Sequence, residues 1–231
     1  MAIYAIADLH LSLDERVDKP MDIYGGSWIN HVEKLEENWK KIIKEDDTVI
    51  IAGDISWGLK LDEAIADLQF ISSLPGKKII SKGNHDLWWA GIGKLNGLFD
   101  NIQFLHNNTI KVGDISICGT RGWNCPGNDD FTENDLKIYK REILRLKMSI
   151  DMAKKDGSTD IIGVLHYPPT NDKKQPSDFT KLFEAEGIKQ VVFGHLHGEN
   201  AKKENNDYIY NGVSYKLISL DRLDCKPVKL R

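Results

Sequence analysis

Short apolar runs alternate with longer stretches of helical spacing along most of the chain. AIYAIA (2–7), TVIIAG (48–53) and KKIIS (77–81) have the length and β-branched content of buried strands. In WINHVEKLEENWKKII (28–43), Ile29, Val32, Leu35, Trp39 and Ile42–Ile43 line one helical face. LKLDEAIADLQFISSL (59–74) reads as a second helix, stopped by Pro75–Gly76. Residues 87–98 keep a helical spacing that Gly91, Gly93 and Gly97 weaken. IQFLHN, TIKVG and DISICG (102–119) are three short strands at hairpin spacing. A long amphipathic helix follows at 134–155, then a strand (TDIIGVLHY, 159–167), a helix (SDFTKLFEAEG, 177–187) and a strand (KQVVFGH, 189–195). YIYNGVSYKLIS (208–219) is a hairpin about Asn211–Gly212.

Strand–helix alternation early in the chain predicts right-handed crossovers and parallel strands. The later hairpins add antiparallel ones. The expected architecture is α/β (α+β by some schemes), with two mixed β-sheets packed as a sandwich flanked by helices. No linker, repeat or low-complexity tract divides the chain, so residues 1–231 are expected to form one domain. Residues 119–131 (GTRGWNCPGNDDF) form one long polar loop, a kind of segment that often carries function.

Composition removes several function classes. A hydrophobic content of 41% and a charged content of 29% suit a globular protein with a real core. The net charge of -4 leaves no basic surplus for a nucleic-acid backbone. Lysine pairs (Lys40–Lys41, Lys77–Lys78, Lys173–Lys174, Lys202–Lys203) are expected on solvated faces. No apolar run approaches the ~20 residues of a membrane helix. MAIYAIADLHLSL lacks the charged region and cleavage site of a signal peptide. Cys118, Cys125 and Cys225 have no zinc-ligand spacing and read as reduced thiols, so a cytoplasmic protein is expected.

Five apolar runs end in metal-binding residue types. They bring Asp8 and His10 (AIADLH), Asp54 (IIAGD), Asn84 with His85 and Asp86 (KGNHD), His166 (GVLHY), and His195 and His197 (VVFGHLH). The carboxyl ends of strands in an α/β sheet share one edge, so the five segments are expected to converge. The i, i+2 spacing of Asp8/His10 and of His195/His197 places each pair on one face if the backbone is extended. Asp8, His10, Asp54, Asn84, His166, His195 and His197 are too many ligands for one tetrahedral zinc. They suit two metals of intermediate hardness such as Mn, Fe or Zn. Two metals roughly 3.5–4 Å apart make a phosphoester-cleaving site. Asp54 is the natural bridge, since each of its oxygens can take one metal.

The order D-x-H, G-D, G-N-H-D, H, G-H-x-H resembles that of the calcineurin-like metallophosphoesterase family, from Asp8 to His197. The resemblance implies that Asp8, His10, Asp54 and His197 hold one metal and Asp54, Asn84, His166 and His195 the other. It implies that a metal-bridged hydroxide attacks phosphorus in line. His85 would contact the phosphate and protonate the leaving group, and Asp86 would orient His85 and raise its pKa. Asp54, His85 and Asp86 are thus the expected catalytic residues. The implied fold is a two-sheet sandwich flanked by helices. Two departures narrow the branch. GDISWG lacks the Asp and Arg of the protein phosphatases' G-D-x-V-D-R-G. Trp57 stands where purple acid phosphatases have a tyrosine ligand, which favours Mn2+ or Fe2+, with Zn2+ the alternative.

The chain is compact and rich in tryptophan near these motifs (Trp57, Trp88, Trp89, Trp123). The expected substrate is a small phosphodiester or nucleotide stacked on an aromatic wall. Arg121, Trp88, Trp123 and Tyr167 are the candidate substrate contacts. Core packing is the competing reading for Trp57 and for one of Trp88–Trp89. The alternatives are a small-substrate phosphomonoesterase and a non-catalytic protein-binding scaffold of the same fold. His31 and His106 read as structural.

Overall fold

The computed structural model describes residues 1–202 and 206–231, so Lys203 of the Lys202–Lys203 pair lies outside the described residues. Two sheets pack face to face. The first has the order β11 (Val228–Lys229), β1 (Ile3–Ile6), β2 (Thr48–Ala52), β3 (Lys77–Ser81), β4 (Ile102–Leu105). The second has the order β5 (Thr109–Val112), β6 (Ile115–Thr120), β7 (Asp160–Leu165), β8 (Gln190–Phe193), β10 (Val213–Leu217), β9 (Tyr208–Tyr210). Helices α1 (His31–Ile42) and α2 (Leu61–Ser73) cover the outer face of the first sheet. Helices α4 (Glu133–Lys155) and α5 (Asp178–Ala185) cover that of the second. Short helices α3 (Ile92–Leu95) and α6 (Gly198–Ala201) sit in loops.

Three apolar layers follow from this arrangement. Ala5, Ile50, Ala52, Ile79, Ile162, Val164 and Val192 fill the space between the sheets. Ile6, Val49, Ile51 and Ile80 point the other way, onto Leu35 and Trp39 of α1 and Leu68 and Ile71 of α2. β2 is buried on both faces, which is why its sequence is a continuous apolar run and not an alternation. Lys78 is buried too. Its amine donates to the carbonyls of Ser72 (3.2 Å) and Leu74 and so closes the end of α2.

The topology gathers five strand ends. β1, β2 and β3 run parallel, and so do β6, β7 and β8. Ala7 pairs with Ser219 just beyond β10, which joins the two sheets at one corner. The Asp8 N–H donates to the Gly53 carbonyl at 2.9 Å, and the Gly194 N–H to the His166 carbonyl at 3.0 Å. The loops after β1, β2, β3, β7 and β8 therefore meet at one end of the sandwich.

Several expectations need correction: Lys78 is not on a solvated face, and β4 pairs in parallel with β3 and not in a hairpin with β5. α1 begins at His31, not at residue 28: Asn30 before it is left-handed (φ 52), and Ile29 is 47% exposed. Of residues 87–98 only Ile92–Leu95 is helical, since glycines at 91 and 97 flank the turn and the two tryptophans leave the helix to pack. β11 and two 3-10 turns, Met21–Tyr24 and Gly26–Trp28, were not foreseen. All three cysteines are buried and free. No helix among the described residues is long and apolar enough to cross a membrane.

Candidate metal centre

Asp8, His10, Asp54 and His195 all have left-handed backbone, with φ of 62°, 47°, 53° and 73°. Extended backbone therefore does not explain the D-x-H and H-x-H spacing. The strands end at Ile6 and Phe193, and the ligand-bearing residues sit in tight turns past them. Non-glycine residues enter this region at a cost of order 1–3 kcal/mol each, and such strain gathers at functional sites.

Two groups of side chains result. In one, atoms of Asp8, His10 and His197 lie within 4.8 Å of one another; in the other, those of Asp54, His166 and His195 do. The Nε2 atoms of His10 and His197 are 3.3 Å apart. Asn84 Oδ1 lies 2.7 Å from His166 Nε2 and 2.9 Å from His195 Nδ1, which adds the amide to the second group. Asp54 Oδ2 stands between the groups, 3.3 Å from His166 Nε2 and 3.8 Å from His10 Nε2. Its Oδ1 accepts the His85 N–H at 2.8 Å. A bridge by Asp54 would use one oxygen, not the two that the sequence suggested.

The inward-facing nitrogens are held from behind. His166 Nδ1–H donates to the Ala52 carbonyl at 3.0 Å. His197 Nδ1–H donates to Asp221 Oδ1 at 3.1 Å, and the other Asp221 oxygen accepts the Gly198 N–H at 2.8 Å. Partners of this kind fix the tautomer and leave Nε2 as the ligating atom. His195 packs its ring on Tyr167, with centroids 4.1 Å apart, and His10 stacks on Trp57 at 4.7 Å. The buried His31 ring donates to the Leu9 carbonyl at 3.1 Å and so steadies the turn between Asp8 and His10.

Charge balance makes the same demand. Burial opposes the ionised forms of Asp8 and Asp54, but the His197 and His166 imidazolium groups beside them hold both carboxyls below the usual range. Burial also opposes charge on His166 and His197. The carboxylates of Asp54 and Asp8 outweigh it and raise them to about 9 and about 10. Burial keeps His10 and His195 neutral, at about 4 and about 3. With no metal bound, protons on His166 and His197 supply the positive charge that the carboxylates require. Four imidazoles, two carboxylates and an amide oxygen in this arrangement fit two divalent ions.

The GNHD segment splits in two. His85 is exposed, and its ring lies 4.5 Å from Trp57 and 5.6 Å from His10. Asp86 turns inward and is fully buried. Its carboxylate accepts N–H groups from Asp54 (2.9 Å), Ile55 (2.8 Å), Gly83 (2.7 Å) and Trp88 Nε1 (3.0 Å). Burial and the Asp54 charge push it up to about 6 against those donors. None of these bonds comes from the His85 ring. Asp86 therefore does not orient His85 as expected; it locks the β3 turn onto the Asp54 turn.

Trp88 is also reassigned. It is 2% exposed and its N–H is spent on Asp86, so it cannot stack on a ligand. Trp123 lies beneath the Arg121 guanidinium, 4.4 Å from ring centroid to Cζ, and donates its own N–H to Asp135 at 2.8 Å. Tyr167 is buried between Trp123 and His195.

A cleft of about 560 Å³ opens onto His10, His85 and His197. Met21, Tyr24, Trp28 and Trp57 give it an apolar wall, and Lys202, Glu199 and Asp221 its polar end. Sequence reasoning passed over Trp28 and the turns around it, because their place beside the centre depends on tertiary contact. Asp221 was missed as well, though it follows an apolar run as the other candidate ligands do.

A family model described as calcineurin-like phosphoesterase matches residues 1–199. A protein of unknown function from Aquifex aeolicus superposes with a TM-score of 0.50 at 20% identity, over 99% of this chain and 95% of that one. The phosphopantetheinyl hydrolase of Mycobacterium tuberculosis superposes with a TM-score of 0.58 at 15% identity, over 94% and 88%. At such identities the likeness is one of fold. No curated protein matches the chain significantly.

Proposed function

The chain belongs to the calcineurin-like phosphoesterase family and is a phosphoester hydrolase, and from that premise we propose that residues 1–231 act as one domain that cleaves a small phosphodiester or nucleotide at a two-metal centre. Asp8, His10, Asp54 and His197 would hold one ion, and Asp54, Asn84, His166 and His195 the other. Mn2+ or Fe2+ suits this donor set, with Zn2+ the alternative. Such ions, when bound, supply a water of lowered pKa and neutralise charge on phosphoryl oxygens.

The chain's own side chains do the rest. Asp54, through one oxygen common to both groups, fixes their spacing. His85 lines the cleft, its ring hydrogen-bonded to no side chain among the described residues, and donates its ring N–H to the leaving oxygen. The Trp57 ring under His85 and His10 limits where that imidazole can go. Asp86 acts on position only, by holding the Asp54 and Gly83 turns together.

The observation that carries the diester reading is the apolar cleft beside His85. A monoester presents only charged oxygens on its far side and gains little from Trp28 and Trp57. A diester carries a second organic group, which the apolar wall of the cleft can take. The test is hydrolysis of bis-p-nitrophenyl phosphate and p-nitrophenyl phosphate by metal-stripped protein refilled with Mn2+. We expect the diester to be preferred, and His85→Ala to lower turnover ~10²–10⁴-fold with Mn2+ still bound. A preference for the monoester would overturn the diester reading. Full activity in His85→Ala would remove the assigned proton donor.

A further inference from the structure

Two cations outside the lining of the apolar cleft follow strands at the ligand-bearing end of the sandwich. Lys82 follows β3 and stands two residues before Asn84; Arg121 follows β6. The Arg121 carbonyl accepts the N–H groups of His166 and Tyr167, both at 3.0 Å, so this arginine is one strand over from a candidate ligand. Both side chains are half-buried, and neither has an ion-pair partner among the described residues. The nearby carboxylate, Glu142, is buried and already engaged by Arg145 at 2.7 Å, by Arg141 at 3.4 Å and by the Thr120 hydroxyl. Asp86, the other acid close to Lys82, is taken up by its N–H donors. His106 lies beside Trp89, ring centroids 6.0 Å apart, and neither His106 Nδ1 nor Trp89 Nε1 has a hydrogen-bond partner among the described residues.

Cations at a protein surface are ordinarily solvated or paired, and a half-buried, unpaired couple is costly unless an anion joins it. Arg121 is also held in place. Its guanidinium lies flat on Trp123, whose N–H is tied to Asp135. That leaves its N–H edge free for two-pronged binding of a phosphate or carboxylate.

We propose that Lys82 and Arg121 form an anion subsite beside the metal centre that receives a second negatively charged group, phosphate or carboxylate, of the substrate. This rests on the phosphoesterase reading of the centre and extends it. The substrate then spans the site as an apolar group in the cleft, the scissile phosphoryl group at the metals, and a second anion at Lys82 and Arg121.

Calorimetric titration of the Mn2+-loaded full chain with inorganic phosphate, phosphonoacetate and methylenediphosphonate tests the subsite. In the wild type we expect at least one of the two-anion probes to bind about tenfold or more tightly than phosphate. Lys82→Met and Arg121→Ala should each lower that preference about tenfold with two Mn2+ still bound. Loss of the phosphonoacetate preference identifies a carboxylate as an acceptable second group; loss of the diphosphonate preference identifies a phosphate. A preference that survives in the variants would be metal chelation alone and would overturn the subsite, as would no preference in the wild type. If Arg121→Ala does not fold, Lys82→Met decides by itself. Diester hydrolysis by the wild type checks the underlying reading separately. An inactive wild type with an intact, variant-sensitive preference keeps the subsite and sinks the diesterase.

Discussion

Asp86 and Asp221 show that nearness in the chain does not decide which carboxylate steadies a ring. Asp86 is the neighbour of His85 in the chain, yet it faces the core and collects five N–H donors, the Ser56 amide at 3.4 Å among them. Asp221 lies 24 residues after His197 and holds that ring through Nδ1 at 3.1 Å. A carboxylate behind a ligating imidazole raises its basicity and fixes its orientation. Asp221→Asn should therefore lower Mn2+ affinity by ~10–100-fold, read by metal titration of the stripped protein. Unchanged affinity would reduce Asp221 to a partner of the Gly198 N–H. The seven candidate ligands stand out in the sequence because five ordered apolar runs carry them together, four of them bringing histidine, a residue type that turns rarely require. Asp221 ends such a run too, but a lone Asp after a strand is so common as a turn former that only contact across the fold distinguishes it.

At the scale of elements, all strands but β11 were readable and the ligand-bearing turns were not. Runs such as TVIIA announce a buried strand by composition, and Asn211–Gly212 announces its hairpin. The turns that aim the ligands are left-handed at non-glycine residues, a choice made by surrounding contacts and not by local propensity. Glycine marks where those turns close on one another. A methyl group on Gly83 would overlap Asp54 Oδ1 and the Asp54 amide, and one on Gly53 would meet His166 Nδ1 at 2.6 Å. Gly83→Ala should thus push Asp54 out of its place between the two groups. We expect a loss of stability of about 1–3 kcal/mol and fewer than two Mn2+ retained per chain. Retention of both ions at wild-type affinity would show that the β3 turn moves without disturbing Asp54.

For the molecule as a whole, the two carboxylates buried at the junction of the sheets make stability depend on what supplies positive charge there. His166 and His197 have folded pKa values of about 9 and about 10, raised from 6.5 by the carboxylates of Asp54 and Asp8 against the opposing effect of burial. A raised value means that their contribution is complete below pH 6.5 and is lost as pH climbs through 9 and 10. The steepest loss is about 1.4 kcal/mol per pH unit for each group. His10 and His195 act in the other direction. Burial lowers them to about 4 and about 3, so stability falls as the pH drops below 6.5 toward those values. Chelated protein should be most stable near pH 6.5, and its melting temperature should drop between pH 7 and pH 9.5. On the proposed two-metal reading, divalent ions would replace those two protons, with an affinity that rises with pH as protons compete less for the ring nitrogens. Mn2+-saturated protein should hold its melting temperature over the same window, so the gap between the two curves should widen with pH. Parallel curves for chelated and loaded protein from pH 7 to pH 9.5 would mean that the metals do not take the place of those protons.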